Sequence, residues 1–289
     1  RAGGARLPPA VVAVPFGTMT APTDPTPAPP SDPVAHLLAH RSIRRYRPDP
    51  VPDDVLRRVL EAGVRASSSG NMQAYSIVVT RDRALRERLH APHMGQDMVL
   101  EAPVLVTFCS DFHRMRRWLA LSEAADGFDD VFAFLVGAID AVLVSQNVAL
   151  AAEAEGLGIC YLGSTLANCH EIGRILELPP HVVPVAGLVM GTAAEDPPRR
   201  DRLPLDGLLH FETYRDPSDD EVRATYRERE TAGWARYMAN PELRARIEAS
   251  GVRNLAQVYS ELKYTRADHA TFAANVVGYL RAQGFALPE

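Results

Sequence analysis

Apolar positions between Pro52 and Ala66 follow a helical beat: in PDDVLRRVLEAGVRA, residues Val55, Leu56, Val59, Leu60 and Val64 fall on one stripe. Asp53 and Asp54 occupy the first turn, where negative charge complements the helix dipole. An amphipathic helix is predicted, ending in SSSGNMQ at residues 67–73, a cluster of turn formers. The beat then changes. YSIVVT reads as a short buried strand rich in β-branched residues, and APVLVTFCSD at 102–111 as a second of the same kind. Residues 136–155, VGAIDAVLVSQNVALAAEAE, are almost uncharged until their end and apolar on most faces, as expected of a central helix wrapped by the rest of the protein. The stretch has the look of a membrane span, but Asp140, Gln146, Asn147 and two late glutamates favour a buried helix of a soluble protein. Gly156 and Gly158 stop it, and ICYLGS follows as a third strand. A helix around CHEIGRILEL leads through Pro179 and Pro180 to VVPVAGLVMG, a fourth strand. Two or three charged helices are expected after PRRDRLP, the last being roughly HATFAANVVGYLRAQGF.

Helices and short strands mix without strict alternation, which predicts an α+β fold rather than a doubly wound sheet. The glycines of GLGICYLG are wrongly spaced for the dinucleotide fingerprint GxGxxG, and they follow a helix where that motif follows a strand. A Rossmann dehydrogenase is therefore disfavoured. Residues 1–33 are a different material, rich in proline and small residues with hardly any charge, and are expected to form a mobile arm ahead of a single domain at 34–289. Within the arm, LPPAVVAVPFG is too short and too proline-broken for a signal sequence or a membrane span. The chain opens at Arg1 and its first methionine is Met19, so residues 1–18 are expected to be an added leader or upstream read-through and stand apart from the fold.

Charge narrows the function. A formal net charge of -5 over 289 residues argues against a nucleic-acid coat protein. Cys109, Cys160 and Cys169 match neither a CxxC pair nor a zinc spacing and read as reduced thiols of a cytosolic protein. Against that acidic balance, HRSIRRYRPDP at 40–50 is locally basic, and His40, Arg41, Ser42 and Arg44 offer guanidinium forks, an imidazole and a hydroxyl suited to phosphate oxygens. In isolation such a run reads as a solvated basic helix end, but a second basic stretch, with Arg199, Arg200 and Arg202 in RRDRLP, follows the last strand, and the two could close on one phosphate. SSSGNMQ supplies hydroxyls and amides fit for a sugar-like chain or a heterocycle edge, although turn chemistry alone also explains it. There is no GxSxG elbow and no Cys-His pairing, and His90 and His93 make a poor metal site. Phosphate-binding and ring-binding groups without an evident acid, base or nucleophile suit a protein whose cofactor performs the chemistry.

In their order and spacing, HRSIRRYRPDPVPDDVLRRVLEAG, ASSSGNMQAYSIV, GQDMVLEAPVLVTFCSDF, the central helix running into GLGICYLG, and LPPHVVPVAGLVMG followed by RRDRLP resemble the flavin-dependent nitroreductase family. The likeness is to its larger NADPH-preferring branch of oxygen-insensitive nitroreductases and flavin reductases, and it runs from about residue 36 to 215 and loosely beyond. The resemblance implies a mainly antiparallel sheet flanked by helices, an intertwined homodimer, and FMN at the subunit interface; the thiols already point to a cytoplasmic protein. It further implies ping-pong hydride transfer from NADPH or NADH to nitroaromatics, quinones or free flavins, with no nucleic-acid or membrane partner. By position, His40, Arg41, Ser42 and Arg44 would bind the FMN phosphate and ribityl chain, and Arg200 and Arg202 would complete the phosphate site. Arg44 would reach furthest toward the ring and supply its positive charge. Ser68 and Gln96 would contact the flavin, and Tyr161, Leu162, Gly163 and Ser164 would run beside the isoalloxazine with their backbone N–H groups near N5.

The chain also departs from the family pattern. Gly163-Ser164 and then TLAN stand where two glycines and an arginine are usual, and Phe132 stands where a glutamate is common. Beyond residue 226 the register shifts, leaving Arg236 as the nearest candidate for the extra phosphate of NADPH. Two rival expectations are a specialised biosynthetic flavoenzyme on the same scaffold, suggested by the GSTLAN loop, and a flavin-binding carrier or sensor without turnover.

Overall fold

The computed structural model describes residues 32–288. The sequence-based reading of residues 1–18, and of most of the arm, lies outside them. Asp32 caps the first helix, α1 (Pro33–Leu38), which begins inside the stretch assigned to the arm.

The core is a four-stranded antiparallel sheet made by β1 (Tyr75–Thr80), β2 (Val104–Asp111), β3 (Gly158–Leu162) and β4 (Val182–Gly191), in the order β1-β2-β4-β3. Every residue of β2 is buried, so its text is continuously apolar instead of alternating. Successive side chains still part to opposite faces: Val104, Val106 and Phe108 of β2 pack with Leu188 and Met190 of β4 on one side, while Leu105 and Val189 join the cluster on the other.

Two helices cover the first face. The amphipathic α2 (Asp53–Gly63) contributes Leu56 and Val59, and α6 (Val131–Ala154) contributes Ala141, Val144 and Val148. Asp130 caps α6 by accepting a hydrogen bond from Ala133 N at 2.8 Å, which starts the helix five residues before the uncharged stretch that announced it. Gly137 lets α6 cross closely over β2, because a Cβ there would run into Ser110 Oγ and lie 2.8 Å from the Ala74 carbonyl oxygen. By length and mean hydropathy, 1.8, α6 is apolar enough to cross a membrane. Its apolarity has two local sources. One is the core just described; the other is an exposed stripe of Phe132, Leu135, Ile139, Val142 and Leu143.

The opposite face is covered by α3 (Arg83–His90), α4 (Met98–Glu101), α7 (Ser164–Ala167) and α8 (Cys169–Ile175), with α5 (His113–Leu121) beyond the end of β2. The chain then forms α9 (Asp219–Ala239), α10 (Pro241–Ser250), α11 (Leu255–Gln257), a π-helical turn at Val258–Lys263 and α12 (Arg266–Ala282). The charged C-terminal region thus holds four α-helices where two or three were expected. Proline, capping residues and glycine cut it: Asn240 caps α10 and Gly251 ends it in the left-handed conformation.

Candidate functional site

The basic run at 40–47 is not a helix end. It is extended, and its backbone joins the sheet margin: Ile43 N donates to Ile159 O at 2.8 Å, Arg47 N to Thr192 O at 2.9 Å, and Ala194 N to Arg45 O at 2.9 Å. Ile43 and Tyr46 turn inward, with the Tyr46 hydroxyl donating to Ile43 O at 2.6 Å. That burial leaves Arg41, Arg44, Arg45 and Arg47 outside.

The same pairing draws the second basic stretch toward the first. Arg199 Nη1 donates to Leu38 O at 3.0 Å, and Arg41 Nη1 lies 2.5 Å from Asp196 Oδ1. Glu195 Oε1 accepts the backbone N–H of Arg44 at 2.5 Å and of Arg45 at 3.2 Å, so two adjacent amides already aim at an anionic oxygen. The Arg45 guanidinium is bound to Glu101, whose hydrogen bond and charge hold it protonated. Among the described residues no carboxylate pairs with Arg44, Arg200 or Arg202; Arg202 reaches only the backbone oxygens of Arg200 and Asp201.

Asp201, between those two arginines, is tied to the C-terminal region. It binds Arg229 Nε at 3.1 Å and Arg236 Nη1 at 2.9 Å, both on α9. Burial pushes the Asp201 carboxyl up, but the facing Arg236 and Arg229 outweigh it and hold the pKa below the ordinary carboxylate value. Arg236, expected at the NADPH phosphate, is therefore a partner of the loop that carries Arg200 and Arg202, with 39% of its side chain still exposed.

Ser42 bridges to Ile159 of β3, which places the basic run beside the strand ending in Tyr161 and Leu162. His40 is held from α6, its Nδ1 2.9 Å from Glu153 Oε1. The side chain of Leu162 is buried in the core, so only its backbone remains for a ligand. The Tyr161 hydroxyl donates to Ser145 Oγ on α6 at 3.0 Å. Gly163 bends the chain from β3 into α7; a Cβ there would meet nothing within 4 Å, so open space lies beside the bend. Gln96 and Ser164, 68 residues apart, meet directly, with Nε2 3.4 Å from Oγ.

The Ser68 turn is built differently. Gly70, Asn71 and Gln73 all have positive φ, of 56°, 55° and 53°, and the turn is pinned by Asp140, a fully buried carboxylate on α6. Asp140 accepts from Ser69 N at 2.8 Å and Ala74 N at 3.3 Å. No hydrogen bond among the described residues links this turn to the 40–47 or 161–164 segments. The sequence marked Asp140 only as a polar residue in a buried helix. A lone carboxylate in an apolar helix must have its lone pairs met, and that was the available signal. A groove of about 470 Å³ between α2 and β1, lined by Leu56, Leu60, Val64 and Val79, contains none of these residues.

An antiparallel sheet whose margin carries a basic segment, paired with the stretch that leads into a second one, defines an α+β protein suited to an anionic small molecule. The sequence pattern of the nitroreductase family matches residues 37–192, more than half of the chain, and the chain belongs to that family. A protein of Bacillus subtilis named FMN reductase (NAD(P)H) is 31% identical over 247 residues, covering 76% of this chain and 97% of its own. An NADPH-dependent oxidoreductase of Staphylococcus aureus is 36% identical over 189 residues, covering 64% and 75%. Among solved structures, the NADPH:FMN oxidoreductase of Vibrio harveyi complexed with NAD+ superposes with a TM-score of 0.69 at 26% identity, over 88% of this chain and 98% of that one.

Proposed function

We propose that this chain is an FMN-dependent NAD(P)H oxidoreductase, working as a cytoplasmic homodimer on small electron acceptors such as nitroaromatics, quinones or free flavins. The observation that carries the reading is the pairing of residues 38–47 with residues 192–199, which leaves Arg44, Arg200 and Arg202 without carboxylate partners. The names of the Bacillus and Vibrio relatives support it.

FMN fits the residues present. Guanidinium forks suit a phosphate dianion, the hydroxyls and amide of Ser42, Ser68 and Gln96 suit a polyol and a ring edge, and the backbone at Gly163 is open to approach by a ligand. Bound there, FMN would supply the hydride and electron transfer between NAD(P)H and the second substrate. The chain's own tasks are to bind and orient. Arg41, Arg44, Arg200 and Arg202 would hold the phosphate, with Ser42 and His40 available to the ribityl chain. Arg44 would also supply positive charge to the ring, and the backbone of residues 161–164 would offer N–H groups to it. Arg236 is the candidate for the extra phosphate of NADPH, which would compete with Asp201 for one guanidinium.

The homodimer rests on α6. Phe132 and Ile139 are 69% and 57% exposed, and they line up with Leu135, Val142 and Leu143 at helical spacing, an apolar stripe that a second copy would cover. Ile139→Asp is expected to turn a dimer into a monomer in sedimentation; unchanged mass would remove α6 from the interface.

Anaerobic NADPH, with NADH in parallel, should bleach the yellow protein, and a nitroaromatic or quinone should restore the colour. Bleaching without recolouring would favour a specialised enzyme acting on one metabolite, the second reading, which the Ser164 departure supports. No bleaching would overturn the oxidoreductase in favour of a carrier.

A further inference from the structure

We infer that His93 is a positioning residue for the flavin-facing bend, locking Ser164 and Gln96 into one unit; the inference rests on the FMN reading above. His93 is completely buried, and its Nδ1 lies 3.0 Å from Ser164 Oγ. Gln96 Nε2 donates to the His93 carbonyl at 2.9 Å and reaches the same Ser164 oxygen at 3.4 Å. A further bond, Asn168 Nδ2 to Pro92 O at 2.7 Å, ties the far end of the GSTLAN loop to the residue before His93. Met94 and Gly95 turn the chain back through positive φ, 59° and 64°, which brings Gln96 under the histidine it follows. One buried imidazole thus joins two loops that are remote in sequence.

The hydrogen bookkeeping fixes the direction. Burial pushes the His93 pKa down to about 4, with His90 adding to the effect, so the ring is neutral near pH 7 and carries one proton. Its Nε2 is buried and has no partner. A proton there would be an orphaned donor, whereas a bare nitrogen is the more tolerable state. The proton therefore sits on Nδ1 and is donated to Ser164 Oγ. That oxygen then accepts from both His93 and Gln96, which leaves the Ser164 hydroxyl proton uncommitted. Ser164 stands where a second glycine is usual, and its partner explains the exchange: the hydroxyl is held by a ring that the neighbouring loop supplies.

The test uses the full chain reconstituted with FMN. His93→Leu removes the donor, while His93→Asn places an amide N–H where Nδ1–H was. His93→Leu should weaken FMN binding about tenfold and shift the flavin absorption bands. His93→Asn should restore both, and adding Ser164→Ala to His93→Leu should cost little more, because the two act as one unit. A purely structural histidine would lower melting temperature alone. FMN binding by the wild type, together with unchanged affinity and spectrum in both His93 variants, would overturn the inference and leave the FMN reading intact. A wild-type protein that refuses FMN would overturn both. In the flavin-free protein, the ¹⁵N signals of His93 should show Nδ1 protonated and should move in Ser164→Ala; a proton found on Nε2 would also overturn the inference.

Discussion

Two margins of the candidate site are held by opposite means. The basic margin at residues 38–47 and 192–202 is exposed, and its order comes from backbone pairing with the sheet, while its charges meet partners near solvent or meet none. The segments proposed for the ring margin, 93–96 with 161–168 and the separately pinned turn at 68–74, are held by buried polar groups: His93 at 0% exposure and Ser164 at 3% in the first, Asp140 at 0% in the second. Exposed ion pairs are individually weak and screened by salt, whereas buried hydrogen bonds are costly to break and fix geometry. The difference suits the tasks proposed for each margin. A phosphate needs charge that yields to it, and a ring needs a wall that does not move.

Removing Asp140 should break that contrast most severely. Asp140→Ala leaves two N–H groups of a left-handed turn without their acceptor, at a cost of about 3 kcal/mol in denaturant unfolding. A loss below about 1 kcal/mol would mean that the turn holds itself. Arg44→Ala should act on the other margin, weakening FMN binding by about 10- to 100-fold with little change in melting temperature. Unchanged flavin content and unchanged reduction kinetics would remove Arg44 from its role. One effect of acid should come from the ring margin. Because the folded His93 titrates at about 4 against its ordinary 6.5, the unfolded chain binds the extra proton first. Stability from this residue is therefore complete above pH 6.5 and falls as pH drops toward about 4. His93→Leu should flatten that slope in a melting series, and an identical slope would place the acid sensitivity elsewhere.

The smallest effect belongs to Asp201. Its depressed pKa means that its contribution is present above the ordinary carboxylate range and lost as pH falls through the folded value. Asp201→Asn should loosen the Arg200 and Arg202 loop and weaken FMN about threefold, an effect that high salt should mimic in the wild type. Salt-independent binding would contradict the charge-based account of this margin.

Legibility in the sequence followed the same divide. The four strands, α2, α6 and α8 showed in apolar runs and periodicity, because burial leaves its imprint residue by residue. Short elements escaped: α4 and α7 have four residues each, too few for a period, and α5 carries its arginines without a clean stripe. The basic segments were legible as charge, and their neighbourhood follows from the Tyr46–Ala193 bridge, a long-range pairing that no local pattern encodes. His93 showed in the sequence only as half of a poor metal site, since its partner Ser164 is 71 residues away. Arg236 was read as a phosphate ligand from its place in the chain, and its pairing with Asp201 needed the fold to bring α9 against the loop.

The central claim is that two basic segments jointly seat one phosphate, and comparing FMN with riboflavin, which lacks that group, tests it most directly. Titration of the flavin-free protein should show FMN bound about 100-fold more tightly than riboflavin, and Arg44→Ala combined with Arg202→Ala should erase most of that difference. Equal affinity for the two flavins, or a preference that survives in the double variant, would contradict it.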